Sequence, residues 1–195
     1  MIKNSVKALN REPFLYIKAL LYNRFFVSLI TASTKYKLRI KRKCANHKMT
    51  YEWGYTYGPP MAVAPINEVE RVLKYAVSVI PSRKILMGMP NYGYDWTLPY
   101  RRGSRANAIS NLQAVNLAIN NGATIQYDEK AQAPFFYYTG ENGARHVVWF
   151  DDARSLTARL KLIEKYNLGG VSYWTINRLF RTNWYTLRAL YDVNR

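Results

Sequence analysis

The 195-residue sequence predicts an α/β fold: part of a (β/α)₈ barrel, interrupted by an α+β segment. Three observations carry that reading. Three short strand-like runs each end in aromatic and acidic side chains, as strands do at the C-terminal mouth of such a barrel. They are Met49-Thr50-Tyr51-Glu52-Trp53, Ile85–Pro90 running on into Asn91-Tyr92-Gly93-Tyr94-Asp95-Trp96, and Gly169-Gly170-Val171-Ser172-Tyr173-Trp174. Helical periodicities alternate with these runs, the signature of βα units in a parallel sheet. Finally, the chain falls short of the roughly 250 residues of a complete barrel, so the barrel is expected to be incomplete.

Residues 1–48 form a basic N-terminal segment with no assigned fold, carrying twelve Lys/Arg against the single acid Glu12. Within it, the apolar run from Phe14 to Ile30 predicts a helix, but Lys18, Asn23 and Arg24 break it. It therefore lacks the roughly 18 clean apolar residues of a membrane span, and it makes a poor signal peptide. The run Lys35–Lys43 is a solvated charge stretch or an anionic-surface contact. Neither membrane nor nucleic acid is an expected partner: only Tyr36 interleaves with those charges, which gives bases little to stack on.

From Met49 to residue 195 the pattern is regular. After the first run and a Gly/Pro loop, Val69, Val72, Leu73, Ala76, Val77 and Ile80 mark one face of a helix over 67–80, stopped by Pro81. Lys84–Met89 reads as a buried strand. The α+β insert spans about 103–150. Ser110 and Gln113 form a capping box for a helix to Asn121, with Gly122 as its stop. Strands come next at 124–127, 135–139 and 145–150, the last two joined by a turn carrying the Asn142-Gly143 hairpin signal. Asp151 and Asp152 open a helix bearing Leu156, Leu160 and Ile163. A strand over 170–176 and a helix near 184–191 restore the βα order.

One cysteine, Cys44, excludes an internal disulfide, and two histidines are too few for a zinc centre. No cofactor and no metal is expected.

From Met49 to about Tyr191 the sequence resembles the C-terminal half of family 18 glycoside hydrolases. Within that family it is most similar to the spore-cortex peptidoglycan hydrolases of endospore-forming bacteria, of the N-acetylglucosaminidase type. Met-Thr-Tyr-Glu-Trp resembles their sixth barrel strand, Met87–Trp96 their seventh, Val147–Asp152 the last strand of their insert, and Gly169–Trp174 their eighth. The resemblance implies that an amino-sugar glycan, peptidoglycan or chitin-like, is the partner. It also implies hydrolysis in which the substrate's own acetamido group attacks the anomeric carbon. Tyr51 would position that group, and Trp174 would form the floor beneath the sugar ring. Glu52, Trp53, Tyr92, Tyr94, Asp95 and Trp96 would bind substrate. The family works at spore or cell-wall glycan.

Plainer readings stand beside these. Tyr51 and Trp174 could be core aromatics, Asp95 could close an Asx-turn, and Glu52 could pair with an arginine. Trp149 and Phe150 read as insert core, and Asp151 and Asp152 as helix caps. The family's general acid lies in an Asp-x-x-Asp-x-Glu motif, and no such spacing occurs in the 195 residues. The expectation is a truncated or frameshifted reading that joins the family at Met49 and does not hydrolyse alone. The alternatives are a glycan-binding remnant without catalysis, or binding of anionic surfaces through the basic segment.

Overall fold

The computed structural model describes residues 16–20, 27–31, 46–175 and 177–191. The charge run at 35–43, Glu12 and Cys44 lie outside the described residues. Two five-stranded sheets organise the rest.

The first sheet has the order β2 (Val27–Thr31), β1 (Tyr16–Leu20), β10 (Gly170–Trp174), β4 (Ile85–Pro90), β3 (Asn46–Lys48). Strands β3, β4, β10 and β1 are parallel, and β2 closes one edge antiparallel to β1. Strand β4 has neighbours on both sides, and all six of its residues are buried, as a continuous apolar run in a parallel sheet requires. Ile85, Met87 and Met89 of β4 pack with Val171 and Tyr173 of β10 against three helices. These are α1 (Ile66–Val79), α3 (Ala153–Lys165) and α4 (Arg181–Leu190), which contribute Val69 and Leu73, Leu156 and Leu160, and Leu187.

The second sheet is antiparallel, with the order β6 (Asn107–Ile109), β5 (Gly93–Leu98), β9 (Arg145–Trp149), β8 (Ala133–Thr139), β7 (Gln126–Asp128). Its strands fall in sequence between β4 and β10. One face carries Phe136 and Val148 against Ala114 and Ala118 of α2 (Asn111–Asn120). The other carries Tyr94, Trp96 and Val147 against Val63 and Ala106.

Three expectations are corrected. Within the range 14–30, where a helix was expected, the described residues form β1 and β2, whose backbones pair with each other, and β1 pairs with the edge of β10. A short apolar run has no decisive period of its own, so an unpaired parallel edge decides its conformation. Second, residues 49–53 are not strand. The strand is Asn46–Lys48, and the chain then turns away: Glu52 adopts φ +72°, while Trp53 and Gly54 donate backbone hydrogen bonds to Val63 and Ala62 at 3.1 and 3.0 Å. Third, residues 93–98 do not continue β4. They form their own strand in the second sheet, where Gly93 is obligatory: a Cβ there would lie 2.3 Å from the Trp149 carbonyl oxygen.

The helix starts obey local chemistry. Ser110 and Gln113 form the reciprocal capping box of α2, and Asp152 caps α3 by accepting from the amides of Arg154 and Ser155. Asp151, also read as a cap, instead forms a buried ion pair with Arg159 at 2.5 Å. Arg159 also donates to the Ala64 carbonyl at 3.0 Å, which ties α3 to the loop ahead of α1.

Candidate functional site

The parallel register places the C-terminal ends of β3, β4 and β10 side by side, with Lys48 opposite Met87 and Trp174 opposite Pro90. The residues leaving each strand are therefore delivered to one rim of the sheet. Strand β4 presents a glycine at the decisive point. A Cβ on Gly88 would sit 2.7 Å from Cε1 of the Tyr51 ring and 2.7 Å from the Lys48 carbonyl oxygen. The Thr50 hydroxyl donates to the Gly88 carbonyl at 2.8 Å, locking the residue before Tyr51 to the same strand. The absent side chain at position 88 thus creates the place that the Tyr51 ring occupies.

Beside it, Tyr92 and Tyr94 are two residues apart in extended chain and so share one side of the backbone. Both phenols donate to the Glu52 carboxylate: Tyr92 in a short contact, Tyr94 at 3.2 Å to Oε1. Their rings meet edge-to-face at 5.7 Å. The left-handed backbone at Glu52, costly for a residue with a Cβ, presents its carboxylate to these two hydroxyls. Half-buried Tyr51 and Trp174 both pack against the cluster that contains Tyr92, Tyr94 and Trp96. Thr56 donates to the Tyr94 hydroxyl oxygen at 3.4 Å. The Arg178 guanidinium lies 5.7 Å from the centre of the Tyr92 ring.

The electrostatics keep these phenols protonated. Burial raises the pKa of Tyr51, and the neighbouring Glu52 charge raises it further. Burial also pushes Tyr92 far up, reinforced by its hydrogen bond to Glu52, and it raises Tyr94 as well. The Tyr92 and Tyr94 protons are committed to Glu52, so the cluster presents the Tyr51 hydroxyl and the remaining acceptor positions of Glu52, backed by aromatic faces. Such a set hydrogen-bonds to hydroxyl and amide groups while stacking on the apolar face of a sugar ring.

The structure brings Tyr51, Glu52, Tyr92, Tyr94 and Trp174 to one cluster, with Trp96 buried within it, and places Trp53 and Asp95 apart. Trp53 is half-buried against the helix-side core. Trp96 is 1% exposed, and its indole N–H donates to the Gly58 carbonyl at 2.9 Å, so its faces are packed. Asp95 points to the opposite face of the second sheet. There it accepts from the Tyr138 hydroxyl at 2.7 Å and pairs with His146 Nδ1 at 2.9 Å. Alternation along β5 separates Asp95 from its two neighbours, a signal present in the sequence pattern itself. Sequence reasoning missed Gly88, Thr56 and Arg178, because each acquires its meaning only from a contact across dozens of residues.

Residues 47–178 match the family model described as Glycosyl hydrolases family 18. The chain is 52% identical over 146 residues to the cortical fragment-lytic enzyme of Bacillus subtilis (strain 168), covering 74% of this chain and 34% of that protein. The solved spore cortex-lytic enzyme SleL of Bacillus cereus superposes with a TM-score of 0.73 at 46% identity, covering 74% of this chain and 34% of that one. A chitinase from Chromobacterium violaceum ATCC 12472 superposes at 0.68 with 31% identity, covering 73% of this chain and 44% of the chitinase. The chain thus spans about a third of the length of the cortex-lytic relatives.

Proposed function

This chain belongs to glycosyl hydrolase family 18, and from that premise we propose that residues 46–191 form the substrate-holding side of a cleft for N-acetylated amino-sugar glycan. In this reading the first sheet is the last part of an incomplete barrel, and the second sheet with α2 is an inserted subdomain forming one wall. Tyr51 donates to the acetamido group of a bound sugar and holds its carbonyl oxygen against the anomeric carbon. Trp174 lies under the ring. Glu52, fixed by Tyr92 and Tyr94, accepts from sugar hydroxyl or amide groups. The wall glycan of spores or cells, or a chitin-like polymer, is the partner class.

The observation that supports this most directly is the convergence of Tyr51, Glu52, Tyr92 and Tyr94 at the mouth of β4. In family 18 the leaving oxygen is protonated by the glutamate of Asp-x-x-Asp-x-Glu, a pattern these 195 residues do not contain. General acid catalysis is worth about 10²–10⁴-fold. The chain by itself is therefore a holder of glycan and not a catalyst. Titration calorimetry with N-acetylglucosamine oligomers tests this. Binding is expected, weakened at least about tenfold by Tyr51→Ala or Trp174→Ala, with no turnover of a fluorogenic N-acetylglucosaminide. Unchanged affinity in both variants would remove the cluster from the site, and turnover abolished by Tyr51→Phe would overturn the loss of catalysis.

A further inference from the structure

From Trp174 to Tyr191 the sequence holds three arginines and no acid. Helix α4 forms inside that stretch, and its period sorts the residues. Asn183 and Leu187 are its buried positions, and at its C-terminal end the Tyr191 hydroxyl donates to the Leu160 carbonyl of α3 at 2.8 Å. Arg181, Tyr185 and Arg188 recur at i, i+4 and i+7, so they share one stripe away from that packed side. All three are exposed. Tyr185 is 65% exposed, and Leu179, just ahead of the helix, is 60% exposed.

Arg181 and Arg188 form no ion pair among the described residues. The paired acids of the helix layer hold other cations: Glu68 holds Arg71, Glu70 holds Lys165, Asp151 holds Arg159 and Asp152 holds Arg154. Glu164 of α3 acts on the Tyr191 phenol, at the packed side, and Asp192 lies outside the described residues. Guanidinium groups left free in this way fit phosphates bidentately. A tyrosine between them has an apolar body and a polar tip, which suits a membrane–water boundary. An exposed leucine has no flat face on which a nucleic-acid base could stack. Cations interleaved with apolar groups therefore match the headgroup and acyl boundary of an anionic bilayer. No helix among the described residues is long and apolar enough to cross a membrane, so such a contact is peripheral. A net charge of +17 favours approach to an anionic surface.

We propose that the α4 stripe docks the chain on an anionic phospholipid surface, with Arg181 and Arg188 on lipid phosphates and Tyr185 and Leu179 at the acyl boundary. The N-terminal charge run gives no reason to expect a membrane. The stripe exists only once α4 folds and buries its other side. Arg178, three residues ahead of the stripe, stands over Tyr92, so docking holds the mouth of the cleft beside the surface. Docking does not depend on what the cleft binds.

Flotation of the full chain with phosphatidylcholine vesicles, with and without phosphatidylglycerol, tests this. Binding is expected only where phosphatidylglycerol is present, and it should weaken as salt is raised. An arginine near such a surface is worth about fivefold, so R181Q/R188Q should weaken binding about twentyfold. L179S/Y185S keeps every charge and should still weaken it at least about fivefold. One readout needs no variant and so survives a variant that fails to fold. On the wild-type chain, bound vesicles should shield Arg181 and Arg188 from phenylglyoxal, as mass spectrometry of the modified peptides would show. No binding to phosphatidylglycerol vesicles overturns the inference. Full binding by folded R181Q/R188Q, or arginines that stay reactive on the vesicles, overturns it by placing the contact elsewhere in the chain. Full binding by folded L179S/Y185S overturns it in favour of a general polyanion surface, which single-stranded DNA of matched charge would also occupy.

Discussion

The placement of Tyr51 depends on an atom that is missing. With a methyl group at position 88, Cβ would press on both the Tyr51 ring and the Lys48 carbonyl, and the carbonyl, being backbone, gives little. Gly88→Ala is therefore expected to lose about 1–3 kcal/mol of stability, as overpacking does. It should also lower glycan affinity as much as Tyr51→Ala, although residue 88 itself would not touch the ligand. Urea titration and calorimetry on one sample would check both; full affinity in a destabilised variant would show that Tyr51 is positioned by other contacts. Legibility at this scale obeyed the same logic. Tyr51, Glu52, Tyr92 and Tyr94 stood out as aromatic and acidic side chains closing apolar runs, with roles implied by the family resemblance, which did not separate them from Asp95 and Trp96. The fate of Trp96 could not be read, because the Gly58 carbonyl that takes its indole N–H belongs to a loop 38 residues away.

At the scale of elements, those that announce themselves locally were the ones the sequence displayed. The capping box of α2 is a four-residue pattern, and it forms as written. Ser110→Ala is expected to cost about 1 kcal/mol, read as a lower urea midpoint with glycan affinity unchanged. Asp151 shows the opposite case: beside Asp152 it looked like a second cap, yet it is buried against Arg159. Losing one charge of a buried pair strands the other, so Arg159→Ala is expected to cost about 3–5 kcal/mol. Removing both charges with Asp151→Asn and Arg159→Met should cost less than Arg159→Ala alone, as a comparison of thermal melts would show. The formation of β1 and β2 within 14–30, where a helix was expected, has the same root as the Asp151 misreading. In both, a partner distant in sequence, the β10 edge or Arg159, outweighs a local preference.

Across the whole molecule the aromatic richness has a thermodynamic consequence. Eight tyrosines among the described residues (Tyr51, Tyr92, Tyr94, Tyr127, Tyr138, Tyr166, Tyr173 and Tyr191) have raised pKa values, each with burial as the first cause. Tyr166, which donates to Glu70, is pushed up to about 12. A phenol is neutral when protonated, so a higher folded pKa means that the folded chain holds its proton more tightly than the unfolded chain does. Stability then falls as pH rises wherever the native state binds more protons. The contribution is whole below the unfolded value near pH 10 and is lost progressively from there toward the folded values. The chain is therefore expected to show flat urea midpoints from pH 7 to about 9.5 and a steep decline above about pH 10. Because Tyr51, Tyr92 and Tyr94 are among the raised groups, their hydroxyls should still be donors when the exposed tyrosines ionise. Glycan affinity should accordingly persist until the fold gives way and then disappear together with it. Tyrosinate absorbance, far-ultraviolet circular dichroism and calorimetric binding measured over the same alkaline series would check this. Binding lost well before the fold would mean that the cleft phenols ionise early, contrary to the protection that burial and Glu52 give them.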